Sequence, residues 1–489
     1  MSKLVINLNF RGAKINRNIY GHFAEHLGRC IYNGIYVGEQ SEIPNINGIR
    51  TDVVEALRHI QVPVLRWPGG CFAEHYHWKY GIGPKEERKP LTNNASGLLE
   101  DNSFGTHEFM DLCEQIGCEP YINFNLASGT VEEMTDWVDY LNSESTTAMG
   151  ALRAKNGREK PWKVKYFCIG NECWSCGGNM EPEYYAGLYR QYQSFLTRCR
   201  NNIKPFKIAV GPSSVGYDWT HTVMQKAAGY MDGLALHYYV VPGGWDNMGD
   251  AADFTAEEYY DTLKRALRME KLMNIHMATM ERFDPEHKVK VIMDEWGTWY
   301  KPETGTDPHM VFQQNTMRDA VVAAICLNTF NRHADRIEMA NLAQLVNVLQ
   351  AVILTEGKKM VLTPTYHVFD LYKAHQDAVL IESYVETEPV GEKAIRVPNM
   401  DVTASVNEAE EVHVTLANLS MEQNYNIEGI VCGMHPNTVY AKIITGKAHD
   451  YNDFGNNRVE IHEMNEVRLT EEGFTLVIPA CSVMEIILK

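Results

Sequence analysis

Residues 164–172 read Val164-Lys165-Tyr166-Phe167-Cys168-Ile169-Gly170-Asn171-Glu172, an apolar, β-rich run that stops at a carboxylate. Residues 289–296 repeat the theme as Val289-Lys290-Val291-Ile292-Met293-Asp294-Glu295-Trp296. Short apolar runs of this kind are typical of strands that are buried in a parallel sheet. The two runs therefore predict buried strands that each bring a Glu to the carboxyl end.

Between residues 16 and 375 such runs alternate with polar loops and stretches of helical spacing, which indicates βα units. We count eight candidate strands: Ile19–Ala24, Val62–Trp67, Glu119–Asn125, Val164–Ile169, Lys207–Val210, Gly233–Tyr239, Val289–Asp294 and Arg336–Ala340. Helical stretches between them include Asp52–His59, His107–Ile116 and Pro182–Ile203. Eight parallel strands close a barrel, so the predicted fold class is α/β, with a (β/α)8 TIM barrel over residues 16–375.

An open, doubly wound sheet is the alternative for alternating βα units. That fold would place a Gly-rich phosphate loop after its first strand, and Gly21-His22-Phe23-Ala24-Glu25 supplies none. The closed barrel is therefore favoured.

The texture changes at about residue 376, where strand-like alternation continues without helical stretches. Val412-His413-Val414-Thr415-Leu416 and Phe474-Thr475-Leu476-Val477-Ile478 are examples. This pattern predicts a C-terminal antiparallel β-sandwich, jelly-roll-like, over residues 376–489. Leu4–Phe10 alternates in the same way, and we expect the N-terminal strand within residues 1–15 to join that domain.

Composition excludes several classes of protein. With 45 Lys and Arg against 63 Asp and Glu, the formal charge of −18 would repel a phosphate backbone, so we expect no nucleic-acid partner. The N-terminus lacks the apolar core of a signal peptide, and no later stretch stays apolar for about 18 residues. We expect no membrane partner and a cytoplasmic protein.

Eleven cysteines are scattered along the chain. Many of them, such as Cys168 and Cys326, lie in apolar runs, which predicts reduced, buried thiols. Cys173 and Cys176 form one CxxC pair, but a zinc site would need two further ligands at comparable spacing. We therefore predict structural packing for this pair, and no metal site.

Polar residues end most of the apolar runs. In a (β/α)8 barrel the carboxyl ends of the strands meet on one concave face, so these side chains are predicted to converge. They are Glu25, Arg66, Asn123, Asn125, Asn171, Glu172, His237, Tyr239 and Glu295. A rim salt bridge would explain any one Glu alone, but it does not explain the whole set.

Glu172 and Glu295 end candidate strands 4 and 7, which lie roughly opposite each other in a ring of eight. Two carboxyl groups in unlike surroundings can divide the roles of acid and nucleophile, as glycoside cleavage requires. At a separation of about 5 Å the pair would act with retention. The sequence thus predicts a glycosidase with Glu172 as acid/base and Glu295 as nucleophile.

Longer segments carry a specific resemblance. Gly170-Asn171-Glu172 and Asp294-Glu295-Trp296-Gly297 resemble the catalytic motifs of clan A glycoside hydrolases. Tyr20-Gly21-His22-Phe23-Ala24-Glu25-His26-Leu27-Gly28-Arg29, Arg66-Trp67-Pro68-Gly69-Gly70-Cys71, Gly81-Ile82-Gly83-Pro84 and His237-Tyr238-Tyr239 resemble family 51 α-L-arabinofuranosidases. The resemblance implies a retaining, exo-acting enzyme that releases terminal arabinofuranosyl residues from arabinan and arabinoxylan oligosaccharides, without metal or cofactor.

The same resemblance implies roles for the other residues. Asn171 would hold the sugar 2-hydroxyl, Glu25 would accept bonds from furanose hydroxyls, and Arg66 and Tyr239 would donate to Glu295. His237 belongs to the same cluster, and Gln350 after strand 8 matches a sugar-contacting Gln. Cys71 stands where many relatives have Asn, so a softer sugar contact is expected there. Family members are often hexamers, which implies a homo-oligomer.

Two other readings stay open at this stage. The catalytic motifs alone do not choose the sugar, so another clan A retaining glycosidase, a β-xylosidase or β-glycanase, is the nearest rival. A non-catalytic carbohydrate-binding protein would have lost a carboxylate or its partners, and here all are present.

Overall fold

The computed structural model describes residues 1–94, 96–196 and 203–489. Within these residues eight strands close a parallel barrel in which neighbours follow chain order and the eighth strand adjoins the first. Barrel strands 1 to 8 are Gly21–Phe23, Val64–Trp67, Glu119–Phe124, Tyr166–Ile169, Phe206–Ala209, Gly233–Val240, Lys290–Thr298 and Ile337–Ala343. The predicted (β/α)8 barrel is confirmed.

The barrel strands are buried because helices cover the outside of such a sheet and side chains fill its interior. Val64–Trp67 and Tyr166–Ile169 are buried at every position. The predicted strand ends differ from the observed ones by a few residues, and two of these differences matter most. Strand 1 starts at Gly21 because Arg17–Tyr20 forms a 3-10 helix, with Asn16 Oδ1 accepting from the Asn18 amide at 3.0 Å. Strand 7 continues to Thr298, so Glu295 lies inside the strand rather than after it.

Helices follow each barrel strand, as the βα pattern predicts. They are Thr51–His59, Thr106–Ile116, Val131–Asn142, Ala148–Lys155, Pro182–Leu196, Tyr217–Ala227, Ala256–Glu281, Met317–Arg332 and Pro364–Tyr372. Side-chain caps start several of them; Thr130 Oγ1, for example, accepts from the Glu133 amide at 3.1 Å. The fifth helix was predicted to reach Ile203, and residues 197–202 of that prediction lie outside the described residues.

The C-terminal region forms a second sheet, as expected for a β-sandwich domain. Its ten strands in the described chain are, from edge to edge, His462–Glu463, Val439–Thr445, Ser482–Leu488, Val412–Asn418, Met400–Val406, Val379–Val385, Ser2–Lys14, Tyr425–Cys432, Gly473–Ile478 and Arg468–Leu469. The N-terminal strand pairs antiparallel with Val379–Val385 and parallel with Tyr425–Cys432. Four short hairpins complete the strands: Asn45–Ile46 with Ile49–Arg50, Leu91–Thr92 with Leu99–Glu100, Ile353–Glu356 with Lys359–Leu362, and Pro389–Val390 with Val397–Pro398.

One face of this sheet packs into an apolar core that includes Leu4, Val414 and Ile486. Helix Met317–Arg332 contacts the sheet through polar groups as well: Asn328 Nδ2 donates to Asp401 at 2.9 Å. Asn328 Oδ1 also accepts from the Thr415 hydroxyl at 3.1 Å. The helix thus covers strand Val412–Asn418, which is buried at every position rather than at alternate ones.

By their internal contacts the described residues form two compact units. One consists of residues 1–20, 239–271 and 296–489, and the other of residues 21–238 and 272–295. The predicted domain limits, 16–375 and 376–489, stay predictions. Among the described helices, none has the length and apolar character needed to cross a membrane.

Candidate active site

Two glutamates meet at one histidine. Glu172 lies three residues beyond the end of barrel strand 4, and Glu295 lies in strand 7. His237 Nδ1 lies 2.9 Å from Glu172 Oε1 and 3.4 Å from Glu295 Oε2. One donor atom of each of the three side chains falls within 4.8 Å of the others, so a carboxylate oxygen of Glu172 is that close to one of Glu295. The structure thus brings the two predicted carboxylates together.

His237 influences the electrostatic interaction between Glu172 and Glu295. Burial by itself lowers the pKa of His237, but the charge of Glu295 and the contact with Glu172 outweigh it, so the net pKa is raised. A protonated imidazole between two carboxylates reduces their mutual repulsion. The site can therefore hold two acidic groups at a short separation.

Arg66, from barrel strand 2, fixes Glu295. Its Nη1 donates to Glu295 Oε1 at 2.8 Å and its Nη2 donates to Asn171 Oδ1 at 2.6 Å. Its guanidinium also packs over the ring of Phe23 at 4.4 Å. Burial opposes the charge of Arg66, but Asp294 and Glu295 more than compensate and raise its pKa well above the usual value. Arg66 is thus a permanent positive charge beside Glu295.

Asp294 is a member of this network whose role the sequence did not single out. Its Oδ2 lies 3.2 Å from Arg66 Nε and accepts from the Tyr121 hydroxyl at 3.1 Å. Burial raises the pKa of Asp294, with Arg66 acting against that shift. Asp294 therefore orients Arg66 from the barrel interior.

The side-chain amide of Asn171 is only partly hydrogen-bonded. Its Oδ1 accepts from Arg66, while its Nδ2 is buried and has no hydrogen-bond partner among the described residues. Such an orphaned buried amide is uncommon in a folded protein. The arrangement is compatible with a sugar hydroxyl as the missing acceptor.

Glu74 supports the backbone around Asn171, and the sequence analysis missed it. It is completely buried, and it accepts from the backbone amides of Asn171 at 2.5 Å, Leu126 at 2.7 Å and Ala127 at 2.6 Å. Burial raises the pKa of Glu74 to about 7, although these amides act in the opposite direction. Its position three residues after Cys71 gives no periodic or motif signal.

Glu25 lies just after barrel strand 1 and contacts the turn that follows barrel strand 2. Its Oε1 accepts from the amide of Gly70 at 2.8 Å and from that of Phe72 at 3.4 Å. A Cβ at Gly70 would lie 3.0 Å from Glu295 Oε1 and 3.3 Å from Glu25 Oε1. The Pro-Gly-Gly turn therefore lets the backbone approach both carboxylates closely.

The prediction of reduced cysteines is wrong for two of them. Cys71 and Cys176 form a disulfide, so Cys176 pairs with a residue 105 positions away and not with Cys173. Cys168, Cys173 and Cys326 are free and buried, as expected. Cys71 thus meets the site as half of a disulfide rather than as a thiol, because barrel closure brings the loops after strands 2 and 4 together.

Tyr239 and Gln350 belong to the compact unit that consists of residues 1–20, 239–271 and 296–489. The Tyr239 ring packs edge-on against Trp299 at 5.0 Å. Gln350 is fully buried; its Oε1 accepts from the Thr298 amide at 2.8 Å and its Nε2 donates to the Asp319 carbonyl at 2.9 Å. Both polar ends of Gln350 thus have internal partners.

Two side-chain groups place possible metal donors close together in the described chain, and Glu172 belongs to both. In the group of Cys71, Cys176 and Glu172 the two sulfurs are bonded to each other, whereas metals bind thiolates. In the group of Glu172, His237 and Glu295, the carboxylate of Glu295 already accepts a hydrogen bond from Arg66. The donor sets therefore suit acid/base chemistry better than a metal.

Comparison with known proteins gives consistent results. Family models of the α-L-arabinofuranosidase 1 domain and of the α-L-arabinofuranosidase C-terminal domain match residues 56–265 and 294–482. An intracellular exo-α-L-arabinofuranosidase of Bacteroides ovatus is 47% identical over 481 residues, 97% of this chain and 93% of the relative. The GH51 arabinofuranosidase of Xanthomonas axonopodis pv. citri is 41% identical, with a TM-score of 0.98 and full coverage of both chains. An α-L-arabinofuranosidase of Thermotoga maritima, solved with arabinose, is 31% identical, with a TM-score of 0.86 over 100% and 99% of the chains.

The chain matches these enzymes over almost its whole length and forms a parallel barrel in which two glutamates approach one histidine. This protein is therefore a glycoside hydrolase. The identity with the Bacteroides and Xanthomonas enzymes takes the assignment further. The chain belongs to glycoside hydrolase family 51, the α-L-arabinofuranosidases. The family resemblance that the sequence motifs indicated is confirmed.

Proposed function

We propose that this protein is a retaining, exo-acting α-L-arabinofuranosidase that releases terminal arabinofuranosyl residues from arabinan and arabinoxylan oligosaccharides. The observation that carries the proposal is the approach of Glu172 and Glu295 oxygens to within 4.8 Å. Retaining enzymes hold their carboxyl groups about 5–5.5 Å apart, whereas inverting enzymes need about 6.5–9.5 Å for a water molecule. The short separation supports double displacement.

In the first step Glu295 attacks the anomeric carbon, while Glu172 gives its proton to the departing glycosidic oxygen. The C–O bond to the leaving group breaks and a covalent arabinosyl ester on Glu295 forms. Arg66, at 2.8 Å, keeps Glu295 ionised for this attack. The acid and the nucleophile thus have different surroundings, as their roles demand.

In the second step Glu172, now ionised, takes a proton from water, whose oxygen attacks the same anomeric carbon. The ester bond to Glu295 breaks and arabinose leaves with its original configuration. His237 contacts both carboxylates. It can therefore stabilise the negative charge on Glu295 before the first step and on Glu172 after it.

Sugar recognition falls to the remaining predicted residues. The orphaned Nδ2 of Asn171 is suited to the 2-hydroxyl, a contact that strengthens at the transition state. Glu25, whose carboxylate accepts from two backbone amides, would also accept from furanose hydroxyls, as the family resemblance implies. Tyr239, Cys71 and Gln350 complete the proposed set on the strength of the family resemblance.

The test is product analysis by NMR during hydrolysis of 4-nitrophenyl α-L-arabinofuranoside in buffer that contains methanol. We expect methyl α-L-arabinofuranoside as the first transfer product. The β-anomer would overturn the retaining mechanism. Hydrolysis of a β-xyloside or β-glucoside without hydrolysis of the arabinofuranoside would overturn the substrate and favour the rival clan A activity.

Two further assignments rest on relatives alone. The Bacteroides ovatus relative is named intracellular, which supports a cytoplasmic location for this chain. A homo-hexamer follows from the family resemblance, and light scattering after size-exclusion chromatography tests it. A mass near that of one chain, 55.7 kDa, would contradict it.

A further inference from the structure

The disulfide of Cys71 and Cys176 lies against the side chain that carries the acid/base role. Its sulfur atoms lie 4.0 Å (Cys71) and 3.7 Å (Cys176) from Glu172 Oε2. The other oxygen of this carboxyl group, Oε1, lies 2.9 Å from His237 Nδ1. Each carboxyl oxygen of Glu172 thus has its own neighbour, and the disulfide borders the oxygen that His237 does not engage.

Glu172 occupies a backbone conformation that needs support. Its φ of 40° lies in the left-handed region, which non-glycine residues adopt at a cost. The turn that follows fixes it, since the Glu172 carbonyl accepts from the amides of Ser175 at 2.7 Å and Gly177 at 3.1 Å. Cys176 lies inside this turn, so the disulfide ties the turn to the 3-10 helix Cys71–His75.

A second tie joins the same two segments. Glu74, in the 3-10 helix, accepts from the Asn171 amide at 2.5 Å and lies 3.6 Å from the Cys173 sulfur. This tie holds the start of the turn and does not depend on redox state. Cleavage of the disulfide would therefore release the turn at its Cys176 end while Asn171 stays anchored.

We propose that the Cys71–Cys176 disulfide positions Glu172 for proton transfer, and that its reduction by a dithiol slows the step in which an unactivated leaving group departs. The proposal rests on the acid/base role of Glu172 given above. Proton transfer needs near-ideal geometry between the acid and the leaving oxygen, and small displacements reduce the rate steeply. The two thiols that reduction creates are also weak hydrogen-bond donors beside Glu172 Oε2.

The redox step balances with a dithiol as the co-reactant. One of its thiolates attacks a sulfur of the pair, the S–S bond breaks, and a mixed disulfide forms; its second thiolate then displaces the protein sulfur. The dithiol loses two electrons and becomes a cyclic disulfide, and two protons end on Cys71 and Cys176. Both cysteines are only half-buried, so a small dithiol can reach them, whereas Cys168 and Cys173 are buried.

The experiment measures kcat/KM on two substrates with the full-length protein, oxidised or treated with dithiothreitol and desalted without oxygen. An arabino-oligosaccharide needs protonation of its leaving group, whereas 2,4-dinitrophenyl α-L-arabinofuranoside does not. We expect reduction to lower kcat/KM at least tenfold on the oligosaccharide and less than twofold on the aryl glycoside, with recovery on reoxidation. Alkylation followed by peptide mass spectrometry measures how far the disulfide has opened.

Variants separate positioning from general stability. Cys176→Ser removes the disulfide and leaves residue 71 unchanged. We expect its kcat/KM values to match those of the reduced protein and not to change with dithiothreitol. Cys432→Ser, at a half-buried free cysteine of the ten-stranded sheet, should respond to reduction like the parent. Equal kinetics before and after complete reduction would overturn the proposal, as would an equal loss on both substrates together with a lower melting temperature. If Glu172→Ala itself shows no leaving-group dependence, the assignment of Glu172 fails instead.

Discussion

Arg66 Nη1 donates to Glu295 Oε1 across 2.8 Å, and the two side chains are 0% and 7% exposed. Water can therefore neither replace the guanidinium nor screen the carboxylate. Because a buried charge without a partner is costly, this ion pair links the stability of the barrel to the ionisation of Glu295, the proposed nucleophile.

Replacement of Arg66 by Gln should lower both the free energy of unfolding and the catalytic efficiency. Breaking a buried pair by removing one partner costs about 3–5 kcal/mol of unfolding free energy, and we expect kcat/KM to fall by roughly 100-fold or more. Urea unfolding and kinetics on 4-nitrophenyl α-L-arabinofuranoside measure the two effects. Arg158→Gln is the control, since Arg158 bonds Glu114 at the surface and such pairs contribute about 1 kcal/mol or less. Equal effects of both variants would contradict the importance of the buried pair.

Substitution of the two proposed catalytic carboxylates should have different effects. Glu295→Ala removes the proposed nucleophile and should lower turnover of every substrate by several orders of magnitude. Glu172→Ala should impair poor leaving groups most, because activated phenols depart without protonation. Azide needs no base assistance, so on an activated aryl glycoside it should accelerate Glu172→Ala and give the α-azide with retention, whereas any azide product of Glu295→Ala should be the inverted β-azide, because azide there takes the place of the missing carboxylate. Parent-like rates in both variants would disprove the catalytic assignment.

The barrel strands were predictable because burial on both faces leaves a continuous apolar run in the sequence. Every predicted strand has an observed counterpart, with ends that differ by a few residues. The main error was strand 7, where the polar residues Asp294 and Glu295 suggested an end. Both are buried within the strand because Arg66 compensates their charge, and a single sequence does not reveal such a partner.

Pairwise connections over long distances were not predictable in the same way. Cys71 and Cys176 are 105 residues apart, and cysteine spacing does not reveal connectivity. In the sequence Glu74 resembles any polar residue of a loop, although it is buried and accepts from three backbone amides, one of them that of Asn171 just before Glu172. Both features arise only when the barrel brings the loops after strands 2, 3 and 4 together.

His237 gives the protein a pH-dependent contribution to stability. Its pKa is raised in the folded state, because Glu295 and Glu172 outweigh the effect of burial. The stabilisation is therefore fully present below the unfolded pKa of about 6.5 and is lost as pH rises through the folded pKa. The difference in unfolding free energy between the parent and His237→Gln should narrow as the pH increases above about 6.5. His287→Gln, at a surface contact with Glu281, serves as control, and a difference that widens with pH would contradict the prediction.

The contribution of Glu74 to the free energy of unfolding should also depend on pH, over a lower range. Glu74 should affect the activity separately. Burial raises its folded pKa to about 7 from 4.5, so the folded state holds a proton that the unfolded chain releases, and stability falls as pH rises across that interval. Glu74→Gln should remove this slope in urea unfolding measured from pH 4.5 to 7.5.

The new amide group of Glu74→Gln would face backbone N–H donors, which costs about 1–3 kcal/mol of unfolding free energy for each donor left unsatisfied. Because the Asn171 amide is one of those donors, we expect kcat/KM to fall by roughly tenfold. Glu55→Gln, on the exposed face of helix Thr51–His59, should change neither quantity, and an unchanged pH slope in Glu74→Gln would show that Glu74 is ionised throughout.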